Sequence, residues 1–210
     1  MKSFVFILFI ILSIPLYADA SEGTEEFYKR VVKIARESVG LKYVPSVNGK
    51  HFTSDCIGFV RYVYYRAGFD LEKTYGRGRG GVSSLYNGLI RYGFTYDSKL
   101  ANPGDLVFFD NTYDINRNGK WDDALTHVGI VVGTGRHNTI YYIHFSNSGV
   151  DEDRINLFYP NTHAFRQVNG KLYIINSYLR RNRGEGYSKK EYISSSFYRC
   201  FAKIRLKVKN

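Results

Sequence analysis

Apolar residues recur every three to four positions over 25–39, where Phe27, Val31, Ile34 and Ala35 share one face and lysines and arginines the other. This pattern predicts an amphipathic helix packed on a core. A loop around Tyr43 follows, and then Phe59, Val60, Val63 and Ala67 resume helical spacing. Ser54 is a suitable N-cap, Asp55 suits the first turn and Gly68 offers a C-terminal stop, so the pattern puts Cys56 at the start of a helix. Beyond a glycine-rich segment at 75–81, the stretch 82–92 predicts a short helix. The remaining apolar runs are β-branched or aromatic and predict strands at 105–109, 127–132, 140–145 and 200–208. Gly133 and Gly135 mark a turn between the second and third of these, which makes them an antiparallel hairpin. Leu172 to Ile175 is a further strand candidate within 156–183, a region that otherwise has no clear pattern. The expected fold class is α+β, with helices packed on a mostly antiparallel central sheet.

The N-terminus has a separate character. Met1-Lys2-Ser3, an unbroken apolar run over 4–12 and Ala18-Asp19-Ala20 read as a signal peptide over 1–20. The run is shorter than the ~20 apolar residues a membrane span needs, and no cysteine follows to carry a lipid. The remaining 21–210 suit a single domain, since one domain commonly takes about 100 to 200 residues and 44% of the chain is hydrophobic. No repeat or Pro-rich linker divides it. The net charge of +11, with Arg180, Arg181, Arg183, Lys189 and Lys190 clustered, favours anionic partners. For an exported chain these are anionic envelope polymers or lipid head groups rather than nucleic acid. A solvated basic face without a dedicated ligand explains the cluster equally well. The expected location is secreted, or periplasmic and cell-envelope.

Placement of Cys56 in a first helical turn matters chemically. Unpaired backbone N–H groups and the positive end of the helix dipole favour a thiolate there and can face a tetrahedral oxyanion. The competing reading is a buried inert thiol or a disulfide with Cys200, the second of two cysteines. Cys200 lies in an alternating stretch and reads as a core strand residue. Among five histidines, His127 opens one strand of the hairpin and His144 closes the other, so both fall at the same end of the sheet. His144 can then fix the tautomer of His127, giving a nucleophile, a base and an orienting group. His51, His137 and His163 read as structural.

These residues lie in a series of motifs: Gly40-Leu41-Lys42-Tyr43, Asp55-Cys56-Ile57-Gly58-Phe59-Val60, Pro103-Gly104-Asp105-Leu106-Val107-Phe108-Phe109, Thr126-His127-Val128-Gly129-Ile130-Val131 and Ile143-His144. In this order they resemble the NlpC/P60 family of cell-wall cysteine peptidases. The resemblance implies a papain-like fold, with Cys56 as nucleophile, His127 as base and later acid, and His144 as orienter. It places Tyr43 and Asp55 in the oxyanion and substrate-binding region. It also implies a peptidoglycan stem peptide as substrate, cut between D-glutamate and a diamino acid. Ile57 stands where the family usually has serine, which alters the contacts beside the nucleophile. CHAP amidases are the nearest alternative within this chemistry, but their nucleophile segment lacks the Gly-Phe-Val continuation. A reading from another class is a secreted calcium-loop protein that binds wall polymers without cutting them.

The hydrolysis requires no cofactor, but one motif suggests a structural calcium. Asp114, Asn116, Asn118, Lys120 and Asp122 follow the alternating spacing of a calcium loop, with Gly119 at the sixth position. Leu125 occupies the twelfth position, where a bidentate glutamate is usual, so Asp122, Asp123 or Asp110 would compensate. The same residues also favour metal-free Asx turns. The glycine-rich segment lacks the Lys-Ser/Thr pair of a phosphate-binding loop.

Overall fold

The computed structural model describes residues 19–75, 81–92, 94–167, 170–180 and 192–206, with side chains from residue 23 onward. The expected signal peptide (apart from its last two residues), 76–80 of the glycine-rich segment, and Arg181, Arg183, Lys189 and Lys190 of the basic cluster lie outside the described residues. The helices are α1 (Asp19–Glu37), α2 (Cys56–Arg66), α3 (Leu71–Tyr75) and α4 (Val82–Arg91). The strands are β1 (Thr95–Tyr96), β2 (Leu106–Phe109), β3 (His127–Thr134), β4 (Ile140–Ser146), β5 (Gly149–Ile155), β6 (Ala164–Arg166), β7 (Leu172–Ile174) and β8 (Tyr198–Ala202). Six of them form one sheet in the order β1-β8-β2-β3-β4-β5, every pair antiparallel, while β6 and β7 form a separate hairpin.

Side-chain alternation along these strands builds two apolar clusters. Leu106, Phe108, Val128, Ile130 and Ile143 lie in the larger one with Phe27 and Val31 of α1 and Phe59, Val60 and Val63 of α2. Val107, Phe109, Val131, Tyr142 and Phe201 form the smaller one, against Trp121 and Phe197. Burial on both faces explains why β2 is apolar at every position.

The head of α2 differs from the sequence expectation by one residue. Asp55, not Ser54, is the N-cap, and its Oδ1 accepts the Gly58 N–H at 2.7 Å. Ser54 Oγ instead accepts the Val44 N–H at 3.0 Å, tying the loop that carries Tyr43 to the start of the helix. The helix closes as expected, because Gly68 adopts φ +99° and donates to Tyr65 O at 3.0 Å.

Three further differences have local causes. β8 runs from Tyr198 to Ala202 rather than from residue 200 on; the Lys203 N–H bonds Phe94 O, 203–206 lie outside any strand, and 207–208 of the expected strand lie outside the described residues. β5 was hidden by its sequence, Gly-Val-Asp-Glu-Asp-Arg-Ile, whose acidic residues are poor strand formers. Pairing along the whole of β4 overrides that preference. Arg180 is buried rather than part of a solvated face: its guanidinium lies 4.4 Å from the Trp121 ring centroid and donates to Asn111 O at 2.6 Å.

Candidate active site

Where the head of α2 meets the start of β3, a cleft of about 900 Å³ is lined by Cys56, His127 and His144 together, with Asp55, Tyr113, Asp151 and Asp153 on its walls. The three residues singled out from sequence therefore share one cavity. Cys56 is the first residue of α2 and is partly exposed. The backbone N–H groups of Val128, Ile57 and Cys56 itself favour its thiolate form, and Val128 is the residue that follows His127. Both cysteines are free thiols, which removes the disulfide alternative, and Cys200 is buried in β8.

The histidines meet through the β3–β4 hairpin, as their positions at one end of the sheet require. His127 Nε2 and His144 Nδ1 are 2.7 Å apart, and the rings lie at 88° to one another. His144 is buried, and its Nε2 lies 3.0 Å from Asp153 Oδ2. Sequence reasoning missed Asp153. The signal was present in Asp151-Glu152-Asp153, which places two carboxylates on one face if the segment is read as a strand beside His144. Gly129 keeps this region open, because a Cβ there would come within 2.7 Å of Tyr142 Cδ2 and 3.4 Å of His144 Cβ.

Burial governs the charges in the substrate-free cleft. It pushes the Cys56 thiol up to about 12, with the Asp55 carboxylate adding to the rise and the three backbone N–H groups opposing it. Burial also holds His127 well below the usual imidazole range, with His144 acting in the same direction. The helix start alone suggested a lowered thiol pKa; desolvation outweighs that effect here. Proton transfer from Sγ to His127 creates both charges together, and each then stabilises the other. Asp55→Asn should separate the two local effects of Asp55. The amide retains the helix cap while the negative charge disappears, so the thiol pKa falls and the pH profile of Cys56 alkylation moves to lower pH. An unmoved profile would show that Asp55 contributes only the cap.

Residues 40–169 match the NlpC/P60 family model, more than half of the chain. The chain belongs to the NlpC/P60 family. It is 34% identical over 115 residues to the bifunctional muramidase/DL-endopeptidase CwlT of Bacillus subtilis, a match covering 55% of this chain and 30% of that protein. It is 30% identical over 125 residues to the probable endopeptidase p60 of Listeria monocytogenes, covering 60% of this chain and 20% of that one. The chain thus spans a third or less of the length of these relatives. A solved NLP/P60 family structure from Staphylococcus aureus, described as similar to lipoprotein, aligns with a TM-score of 0.37 and 24% identity over 61% of this chain and 36% of its own.

Within the NlpC/P60 region the remaining expected site residues are placed unequally. Asp55 lines the cleft, whereas Tyr43 is 78% exposed and is not among the lining residues. Tyr113 does line it, a position the sequence did not single out. The Asp/Asn loop satisfies its oxygens internally. Asp114 accepts the Asn118 and Gly119 N–H groups at 3.2 and 2.8 Å, and Asn118 Oδ1 accepts the Lys120 N–H at 2.8 Å. Asn118 Nδ2 donates to Asp122, while Asp123 accepts from Ile115 N–H and Asn116 Nδ2. Among the described residues no three His, Cys, Asp or Glu side chains are grouped to hold a metal ion. The calcium expectation therefore rests on donor spacing alone, and these contacts are those of Asx turns. No described helix is long and apolar enough to cross a membrane.

Proposed function

We propose that this protein is a cysteine peptidase that hydrolyses amide bonds in peptidoglycan stem peptides through a thioester on Cys56. The observation that carries this reading is the single cleft shared by Cys56, at the head of α2, and the hydrogen-bonded pair His127 and His144. As Sγ attacks the carbonyl carbon, its proton passes to His127 and the carbonyl oxygen becomes an oxyanion. The Cys56 backbone N–H at the start of α2 is the donor offered to that oxygen, and family resemblance assigns the second to the Tyr43 hydroxyl. His127 then returns the proton to the leaving amine, and the C–N bond breaks to give the acyl-enzyme. Water, deprotonated by His127, cleaves the thioester and regenerates the thiol.

The substrate rests on kinship. The relative from B. subtilis is named a bifunctional muramidase/DL-endopeptidase and that from L. monocytogenes a probable endopeptidase, which supports peptide-bond hydrolysis; the family resemblance, not these names, implies a bond between D-glutamate and a diamino acid. Export through the signal peptide, a single papain-like domain over 21–210 and attraction of a +11 chain to anionic wall polymers complete the proposal. Calcium has no part in these steps.

Digestion of purified sacculi tests the reading. Wild-type protein should release stem-peptide fragments with new termini detectable by mass spectrometry, and Cys56→Ala should release none above buffer. Equal release by both would assign the activity elsewhere, and sacculus binding without release would favour a non-catalytic wall-binding protein.

A further inference from the structure

Two contacts determine where the protons of the histidine pair lie. A carboxylate only accepts hydrogen bonds, so the 3.0 Å contact between Asp153 Oδ2 and His144 Nε2 requires the hydrogen to be on Nε2. A neutral imidazole carries one N–H, which leaves His144 Nδ1 as an acceptor. The 2.7 Å contact with His127 must then be donated by His127 Nε2–H, and neutral His127 is left with a bare Nδ1. That bare nitrogen is what a base for the Cys56 proton needs. With the opposite arrangement, His144 Nδ1–H would donate to His127 Nε2 and the His127 proton would sit on Nδ1, where it blocks transfer from sulfur.

We propose that Asp153 is a positioning residue that locks both rings in their Nε2–H tautomers, extending the triad to Cys56, His127, His144 and Asp153. The inference rests on the hydrolytic reading above for its catalytic consequence, while the tautomer assignment stands on the contacts themselves. The β4–β5 register supplies the carboxylate: Asp151 lies opposite His144 and Asp153 opposite Tyr142. Asp151 is occupied by the Ser146 and Ser148 hydroxyls at 2.5 and 2.7 Å, so the diagonal neighbour Asp153 reaches the ring. Among the described residues no lysine or arginine is paired with Asp153, and its charge is directed to the histidines. When Sγ–H protonates His127 Nδ1, the imidazolium keeps Nε2–H on His144, whose own Nε2–H stays on Asp153. The proton later leaves from Nδ1 to the departing amine nitrogen, and the tautomers of both rings are restored.

The test uses the full chain labelled with 15N-histidine, in an otherwise unchanged background and with Asp153→Ala, Asp153→Asn and Asp153→Glu. Ring 15N shifts should report Nε2–H on both His127 and His144 when Asp153 is present and a gain of Nδ1–H in the alanine variant. On a soluble stem peptide, Asp153→Ala and Asp153→Asn should lower kcat about 10- to 100-fold with KM within about twofold. The acid limb should move to lower pH, since loss of a negative charge disfavours imidazolium. Glu should restore part of kcat. Titratable groups beside the rings or lining the same cleft are Cys56 and Asp55 at the head of α2, Tyr113 and Tyr178 from loops, Tyr142 on β4, and Asp151 and the Arg36-paired Glu152 on β5; all stay unchanged across the series. Unaltered tautomers in Asp153→Ala, or a loss of thermal stability with kcat and pH limb unmoved, would overturn the proposal. Failure of the hydrolytic reading is distinguishable: the wild type would then be as inactive as Cys56→Ala, while the 15N shifts would still respond to Asp153.

Discussion

His127→Ala is expected to lower the hydrolysis rate by about 10²- to 10⁴-fold, the range for losing a positioned general acid-base group. The variant loses both the acceptor for the Sγ proton and the acid that protonates the leaving amine. Burial, which pushes the thiol up to about 12, allows no compensating population of thiolate near neutral pH. The same variant should also show a stability signature. Folding holds His127 below the usual imidazole range, whereas the unfolded chain titrates near about 6.5. Below that pH the unfolded state binds a proton that the folded state refuses, so stability falls as pH drops from about 6.5 towards the folded pKa and is undiminished above it. His127→Ala should flatten that slope in denaturant titrations between roughly pH 7 and 5. Retained activity in the variant would remove His127 from the mechanism; an unchanged slope would show that other groups set the acid sensitivity.

Gly58→Ala is expected to damage the fold severely. A Cβ at this position would lie 2.0 Å from Thr53 O and 2.5 Å from Thr53 Oγ1, both far inside contact distance, and one of these atoms is backbone. Relief requires the 53–55 segment to move away from α2. That movement would also strain the Asp55 cap, since its carboxylate accepts the Gly58 N–H. Overpacking of this kind costs about 3 kcal/mol or more, which for a domain of this size lowers Tm by roughly 6–12 °C. The cap and Cys56 are adjacent, so activity should fall even in the fraction that remains folded. A Tm within about 1 °C of wild type would show that the helix head yields without cost.

Much of this site was legible because its parts lie on strongly patterned elements. The period of 3.6 over α2 put Cys56 at a helix start, and the Gly133 to Gly135 turn was enough to bring His127 and His144 to one end of a sheet. The cap was misassigned by one residue because Ser54 and Asp55 are both good capping residues, and only the tie from Val44 N–H to Ser54 Oγ distinguishes them. Asp153 was missed for a different reason. Its strand is acidic, and its pairing energy comes from β4 rather than from its own propensity. The thiol pKa was misjudged because a helix start is visible in sequence, whereas the desolvation that opposes it depends on how closely β3 and α2 approach. Arg180 looked like part of a charged surface run until Trp121, distant in sequence, was found beneath it.

The central claim is that Cys56 forms the covalent bond to substrate. Acid quenching during turnover of a soluble stem peptide, followed by intact-mass analysis and peptide mapping, tests it directly. The account predicts a transient acyl adduct on the peptide containing Cys56, absent in Cys56→Ala and persistent when water attack is slowed. Steady hydrolysis with no adduct, or with the adduct on another residue, would contradict it.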